Sequence, residues 1–372
     1  MTITLAACLI TKNEATCLAD CLRSLQHQVD EIIVIDTGST DDTMDIARSF
    51  QARVGTMTWQ GDFSHARNYC MSVATTDIIL NLDADEIAPA DLRIQVEQLA
   101  TTAPQADPFL GRVLIRSAYV DEQGERRVAV SHVTRLCTRL PSIRFSGAIH
   151  EQLIDHTGTA KRISTPIVIE HRGYDLPPER MTAKTQRNIE LLEQSLSQSS
   201  ISSEKRAYYL YQLGKSQSVL LKHSAAKESF ASSLAQASPD SAYHPELLLA
   251  YLHTLKRLDQ ATEIWPLLTS ALQPYPALPD LHFFMAGALI HFAVPDLVLI
   301  ERCYHTCIAI GDQIARYPSV EGTGSYLAYY NLGAFYEVTG RYEEAILAYQ
   351  EAERSGYGTV KTALERVNKR RP

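Results

Sequence analysis

Two short runs constrain the fold more than any other feature of this chain. "EIIVID" at residues 31–36 and "IILNLD" at 78–83 are apolar almost throughout, and each stops at an aspartate. A strand with one wet face alternates apolar and polar residues, whereas a run that is apolar on both parities is a strand covered on both faces, as in parallel sheets. The neighbouring segments supply the covering helices. Residues 3–10 read as a first strand, Leu18, Leu22 and Leu25 mark one helical face, and residues 53–58 read as a weaker third strand. The loop "TGSTDDT" places Ser39 or Thr40 to cap the next helix, Ser64 to cap "HARNYCMSVA", and Pro89 to open the helix after the second run. Strand and helix in alternation predict a parallel sheet, whose ligands gather at the carboxyl ends of the strands. Asp36 and the cluster Asp83, Asp85 and Glu86 fall at that one edge.

From residue 109 the pattern changes to the alternation of antiparallel strands about a turn at Gln123 and Gly124, followed by "FSGAIHEQL" and the strand "TPIVIEHRGY". A helix with Ile189, Leu192 and Leu196 on one stripe opens on two prolines and ends in serines, which reads as a domain boundary. The second half repeats. Leu332, Gly333, Tyr336, Gly340, Tyr342, Ala345, Tyr349 and Ala352 match the spacing of the tetratricopeptide repeat, a helix pair of about 34 residues. Leu213, Gly214, Ala226 and Phe230 fit the same template, and weaker copies lie around Ala261 with Trp265 and Ala288 with Tyr304. The expected organisation is an α/β domain at 1–175, a linker helix at 176–200 and an all-α repeat domain at 201–372.

Composition excludes several classes. A net charge of −8 leaves no basic excess to neutralise a nucleic-acid backbone or an acidic membrane. The opening "MTITLAACLITKNE" lacks the basic region of a signal peptide, and "FFMAGALIHFAVPDLVLI" is broken by His291, Pro295 and Asp296, so it reads as packed helices and not as a membrane span. Seven cysteines, with Cys17/Cys21 and Cys303/Cys307 four apart in helical patterns, read as buried thiols of a reducing cytoplasm. The first strand leads into "TKNE" and not into a glycine-rich turn, which disfavours a dinucleotide oxidoreductase. A glycosidase needs carboxylates that flank a sugar.

If the chain leaves the second run still extended, Asp83 and Asp85 point the same way and can share a divalent ion; alternatively Asp85 or Glu86 caps the following helix. Together, "LITKNEATCLADCLRSL", "VDEIIVIDTGSTDDTMDIA", "WQGDFSHARNYCMSVATTDIILNLDADE", "IRFSGAIHEQL" and "EHRGY" resemble the inverting GT-A glycosyltransferases of the family 2 type that carry appended tetratricopeptide repeats. Within that group the chain resembles the peptide S-glycosyltransferases of sublancin-type glycocin biosynthesis.

The resemblance implies a GT-A domain, an α/β Rossmann-like mixed sheet, followed by the all-α repeats. It implies that Asp36 accepts hydrogen bonds from the nucleobase, with Thr11, Asn13 and Glu14 in the loop beneath the nucleotide and Arg67 near the base and diphosphate. It implies Asp83 beside ribose and metal, and Asp85 as direct ligand of Mg2+ or Mn2+, with His171 completing the metal shell. It implies that Gly147 faces the sugar, that Glu151 is the general base and that His150 orients Glu151 or contacts the donor. The alternatives from the residues alone are an ion pair of Arg67 with Asp62 or Asp77, an ion pair of Glu151 with Arg144, and a structural role for His171. Glu86 is left as a cap or a residue behind the ligands. The implied partners are a UDP-sugar donor and a peptide or protein acceptor, with a homodimer allowed. The rival readings are a saccharide-building transferase whose repeats dimerise or recruit partners, and a repeat scaffold with an inactive GT-A domain.

Overall fold

The computed structural model describes residues 3–102, 107–121, 124–172, 178–199, 201–294 and 296–370. Gln123 of the expected turn, Gly173 and Tyr174 of "EHRGY", Pro295 and the first residues of the expected linker, 176–177, lie outside the described residues. The chain divides into two units, Met1–Ser199 and Ser200–Pro372. The helix expected as a linker, Pro178–Leu196, groups with the first.

In the first unit, strands β1 (Leu5–Thr11), β2 (Glu31–Asp36), β3 (Arg53–Thr56) and β4 (Ile78–Leu82) alternate with helices α1 (Leu18–Leu25), α2 (Thr43–Ser49) and α3 (Phe63–Val73). There follow β5 (Glu86–Ile87), α4 (Leu92–Thr102), β6 (Phe109–Val120), β7 (Arg126–Thr138), β8 (Ile143–Ser146), β9 (Gln152–Asp155), β10 (Lys161–His171) and α5 (Pro178–Leu196). The order across the main sheet is β3-β2-β1-β4-β7-β6-β10-β5, with β8 and β9 paired apart from it. β3, β2, β1 and β4 run parallel, and β7 joins β4 antiparallel, giving the mixed sheet.

The two-residue period of a strand explains why β1 and β4 are apolar on both parities. Leu5, Ala7 and Leu9 of β1, with Leu80 and Leu82 of β4, join a core that includes Leu18 and Leu22 of α1. Ala6 and Cys8, with Ile79, join a second core that includes Cys70 and Met71 of α3. The α3 face of β4 is the one that continues through Asn81 to Asp83, and this places Asp83 beside α3.

Three helix starts differ from expectation. Asp62, not Ser64, caps α3 by accepting from the His65 N–H at 3.0 Å, and Ser64 hydrogen-bonds Asp62 instead. α2 follows Asp42 rather than Ser39 or Thr40, whose side chains bond back to Asp36 and Asn13. α4 starts at Leu92, three residues after Pro89, because residues 86–87 are drawn into a short strand against β10.

The second unit is helical: α6 (Ser203–Val219), α7 (His223–Leu234), α8 (His244–Arg257), α9 (Ala261–Leu272), α10 (Pro279–His291), α11 (Leu297–Ile310), α12 (Tyr326–Val338), α13 (Tyr342–Arg354) and α14 (Val360–Arg370). The first eight pack as the four successive pairs read from the sequence. A Cβ on Gly214 would lie 2.6 Å from the Phe230 ring, and one on Gly333 would lie 2.7 Å from Tyr349. The small residue on one helix and the aromatic on its partner are thus one close contact. No helix among the described residues is long and apolar enough to cross a membrane.

Candidate active site

Strand ends bring the candidate residues together. Thr11 closes β1 opposite Asp36 at the end of β2, and His171 at the end of β10 pairs in register with Glu86. Asp36 is buried, and its Oδ2 accepts from the backbone N–H groups of Gly38 at 2.9 Å and Ser39 at 2.8 Å. Its Oδ1 accepts from the Ser39 and Thr11 hydroxyls. The carboxylate expected to read the nucleobase is therefore engaged by its own loop. Asn13 takes a left-handed φ of 58° and its Oδ1 accepts from the Thr40 N–H at 2.8 Å, so it staples the loop after β1 to the loop after β2. The Glu14 N–H bonds the Thr43 hydroxyl at 2.8 Å, and burial pushes the Glu14 carboxyl pKa up.

The Asp83–Asp85 pair departs from expectation. The chain does not leave β4 extended; it turns, with the Glu86 N–H bonding the Asp83 carbonyl at 3.1 Å. The two carboxylates consequently find different partners. Asp83 Oδ1 accepts from Arg67 Nη2 at 2.5 Å and its Oδ2 from Arg135 Nη2 at 2.8 Å. Burial opposes the charge of Asp83, but Arg135 and Arg67 outweigh it and hold the carboxyl far below the usual carboxylate range. Asp85 Oδ2 instead lies 3.3 Å from His171 Nε2. Asp83 is thus held by arginines while Asp85 and His171 form a pair.

Arg67 lies on α3, is 5% exposed, and bridges Asp83 to Glu151, whose Oε1 accepts from its Nε at 2.5 Å. Neither Asp62, which caps α3, nor Asp77, which holds the Thr4 N–H, is its partner. Arg144 likewise bonds the Pro141 carbonyl and not Glu151. Gly147 and His150, in the segment between β8 and β9, take φ of 117° and 48°. The first conformation is one that glycine alone adopts cheaply. The Phe63 N–H bonds the Ala148 carbonyl at 2.9 Å, tying this segment to the start of α3.

Sequence reasoning missed Arg135 and Ser117. Arg135, on β7, is buried and donates from Nη2 to Glu86 Oε1 at 3.0 Å as well as to Asp83. The signal was present as a lone arginine inside the apolar strand end "RLC", opposite a cluster of acids in need of cations. Glu86, 2% exposed, accepts the Asp83 N–H at 2.8 Å, and burial pushes its pKa up to about 6. It stands behind Asp83 as a brace and caps no helix. Ser117 Oγ lies 3.1 Å from His171 Nδ1. Ser117 thus orients the ring so that its Nε2 edge faces Asp85. Burial of the ring opposes its charge, yet Asp85, with Glu86 and Asp83 behind it, holds the His171 pKa above the usual range.

The donor set fits a hard divalent ion in part. Two donors at right angles on an ion with bonds of about 2.1 Å lie about 3 Å apart. The Asp85–His171 separation of 3.3 Å is close to that. Among the described residues, no group of three His, Cys, Asp or Glu side chains is placed to hold a metal ion. An ion held by this pair alone would complete its shell with water and phosphate oxygens.

Residues 7–139 match the family described as Glycosyl transferase family 2. The chain carries a family 2 glycosyltransferase domain. It is 38% identical over 195 residues to a TPR repeat-containing protein of Synechococcus elongatus, a match covering 48% of this chain and 45% of that one. It is 28% identical over 198 residues to the SPbeta prophage-derived glycosyltransferase SunS of Bacillus subtilis, covering 52% and 46%. An uncharacterized glycosyltransferase of Rickettsia felis is 32% identical over 142 residues, covering 38% and 49%. The chain spans about half the length of the curated relatives it matches.

Proposed function

We propose that this family 2 protein is an inverting, divalent-metal-dependent glycosyltransferase that moves a hexose from a UDP-sugar to a peptide or protein side chain, a Cys or a Ser/Thr. The observation that carries the reading is the pairing of Asp85 with His171 at 3.3 Å beside the Asp83–Arg67–Glu151 bridge, all at the carboxyl edge of the sheet. One pair of side chains suits a cation, and the neighbouring bridge ends in a carboxylate able to take a proton.

Asp85 and His171 would hold Mg2+ or Mn2+, the ion that supplies positive charge against the leaving diphosphate. Thr11, Asn13 and Glu14 shape the floor beneath the nucleotide, and the Asp36 loop fixes where its base can lie. Arg67 supplies a second, permanent positive charge. Glu151, held by Arg67, takes the proton of the acceptor as the acceptor attacks from the face opposite the leaving group, giving inversion. A thiol acceptor, with an unperturbed pKa of about 8.5, asks less of that base than an alcohol does. Gly147 leaves room for the sugar, and His150 sits next to Glu151 in the same strained segment. The peptide acceptor rests on the resemblance of the motif segments to peptide S-glycosyltransferases, beside a likeness to the glycosyltransferase SunS.

The test is incubation with labelled UDP-sugars and Mn2+, offering peptides and saccharides as acceptors, with mass spectrometry of the products. Metal-dependent donor turnover is expected and should be lost in Asp85→Ala. Transfer to saccharides alone would defeat the peptide assignment, and no turnover with any donor would favour a repeat scaffold.

A further inference from the structure

Arg67 and Arg135 use their guanidinium groups differently. Arg67 spans two acids with two nitrogens, Nε to Glu151 and Nη2 to Asp83. Arg135 makes both its contacts with one nitrogen, Nη2, which serves Asp83 Oδ2 and Glu86 Oε1. Its Nε is buried with no hydrogen-bond partner among the described residues. Arg135 is 9% exposed and Glu86 2%, so this is a buried charge pair in which loss of one member leaves the other uncompensated.

The charge arithmetic gives Arg135 a further role. Asp83, Glu86 and Glu151 are three carboxylates held by two arginines. Arg135 satisfies Glu86 and one oxygen of Asp83, which leaves Arg67 able to divide itself between the other oxygen of Asp83 and Glu151. Without Arg135, Arg67 is the one arginine among the described residues left bonded to these acids, and the two adjacent acids on the β4 side draw it away from Glu151. We propose that Arg135 is a positioning residue: by neutralising Asp83 and Glu86 from β7, it keeps Arg67 on Glu151 and so couples the donor side of the site to its general base. This rests on the transferase reading above.

The unequal use of nitrogens supplies a sharp test. A lysine ammonium has three donors on one nitrogen and can reproduce contacts that both come from Nη2, but it cannot span two acids as Arg67 does. Arg135→Gln should lower kcat for transfer by roughly 10- to 100-fold, the effect typical of groups that orient a site from behind. It should leave the KM for the UDP-sugar within a few-fold and calorimetric UDP binding in place. Arg135→Lys should restore most of the lost kcat, whereas Arg67→Lys should remain impaired. A kcat unchanged in Arg135→Gln, or Arg135→Lys as impaired as Arg135→Gln, would overturn the proposal.

A second measurement does not depend on turnover. Thermal midpoints of Arg135→Gln, Glu151→Gln and the double variant should be non-additive, since the two positions are linked through the Arg67–Asp83 ion pair. Strict additivity would overturn the coupling. Absence of turnover by the unmodified chain with every donor would instead remove the transferase reading, and the thermal cycle would still decide whether Arg135 controls the place of Arg67.

Discussion

Asp280, at the start of α10, is buried, and it accepts hydrogen bonds from the Val320 N–H at 2.8 Å and the Thr323 hydroxyl at 3.0 Å. Burial pushes its pKa up to about 7. An unfolded aspartate titrates near 3.9, so between these values the folded chain binds more protons than the unfolded one. Stability contributed by Asp280 is therefore present at low pH, falls as pH rises through about 4 to 7 and levels off above, by at most about 1.4 kcal/mol per pH unit. Asp280→Asn cannot ionise. Its stability relative to the native chain, measured by urea unfolding, should improve steadily across that window; a pH-independent difference would refute the assignment. Positions were legible in the sequence where the strand period holds, as at Asp36 and Asp83, which follow β2 and β4 to the carboxyl edge of the sheet. They were not where the backbone turned. The two-residue rule that puts Asp83 and Asp85 on one side holds only while the chain stays extended, and the Glu86 N–H to Asp83 carbonyl bond ends that extension. Arg135 was hidden because strand alternation marks which face a residue takes, not which distant acids it meets.

Each helix pair of the second unit closes with the same turn. Leu221, Asp259, Ala293 and Gly340, two residues past the ends of α6, α8, α10 and α12, take φ of 58°, 53°, 50° and 79°. The residue after each donates its N–H to a carbonyl five positions back, at 2.9, 3.0, 2.9 and 2.8 Å. This is the capping geometry that glycine favours, and only the last copy carries glycine. The sequence showed the final repeat clearly because Gly340 advertises the turn, and the middle repeats faintly because Asp259 and Ala293 adopt the same conformation without the signal residue. Left-handed backbone costs a residue with a side chain roughly 1–2 kcal/mol. Ala293→Gly should therefore raise stability by about 1 kcal/mol and Gly340→Ala should lower it by a similar amount. Opposite signs in equilibrium unfolding are the check, and a destabilising Ala293→Gly would contradict the shared turn.

At the scale of the whole chain, the family 2 match ends at residue 139, and every candidate site residue lies before residue 172. On the proposed function, donor binding is accordingly expected in the first unit. The chain has two tryptophans, and they report separately on the two units. Trp59 packs edge-on against Phe63 at 4.7 Å, at the start of the helix that carries Arg67, and Trp265 packs against Phe292 at 6.4 Å in the repeats. A ligand that binds only folded protein stabilises what it binds, by about 2.7 kcal/mol at a hundredfold excess over its dissociation constant. Trp265→Phe leaves Trp59 as reporter, and Trp59→Phe leaves Trp265. Unfolding followed through Trp59 should move to higher denaturant when UDP and Mn2+ are added together, and Asp85→Ala should cancel most of that shift because it removes half of the Asp85–His171 pair. A shift seen through Trp265 with none through Trp59 would place nucleotide binding outside the sheet edge, and the donor site with it.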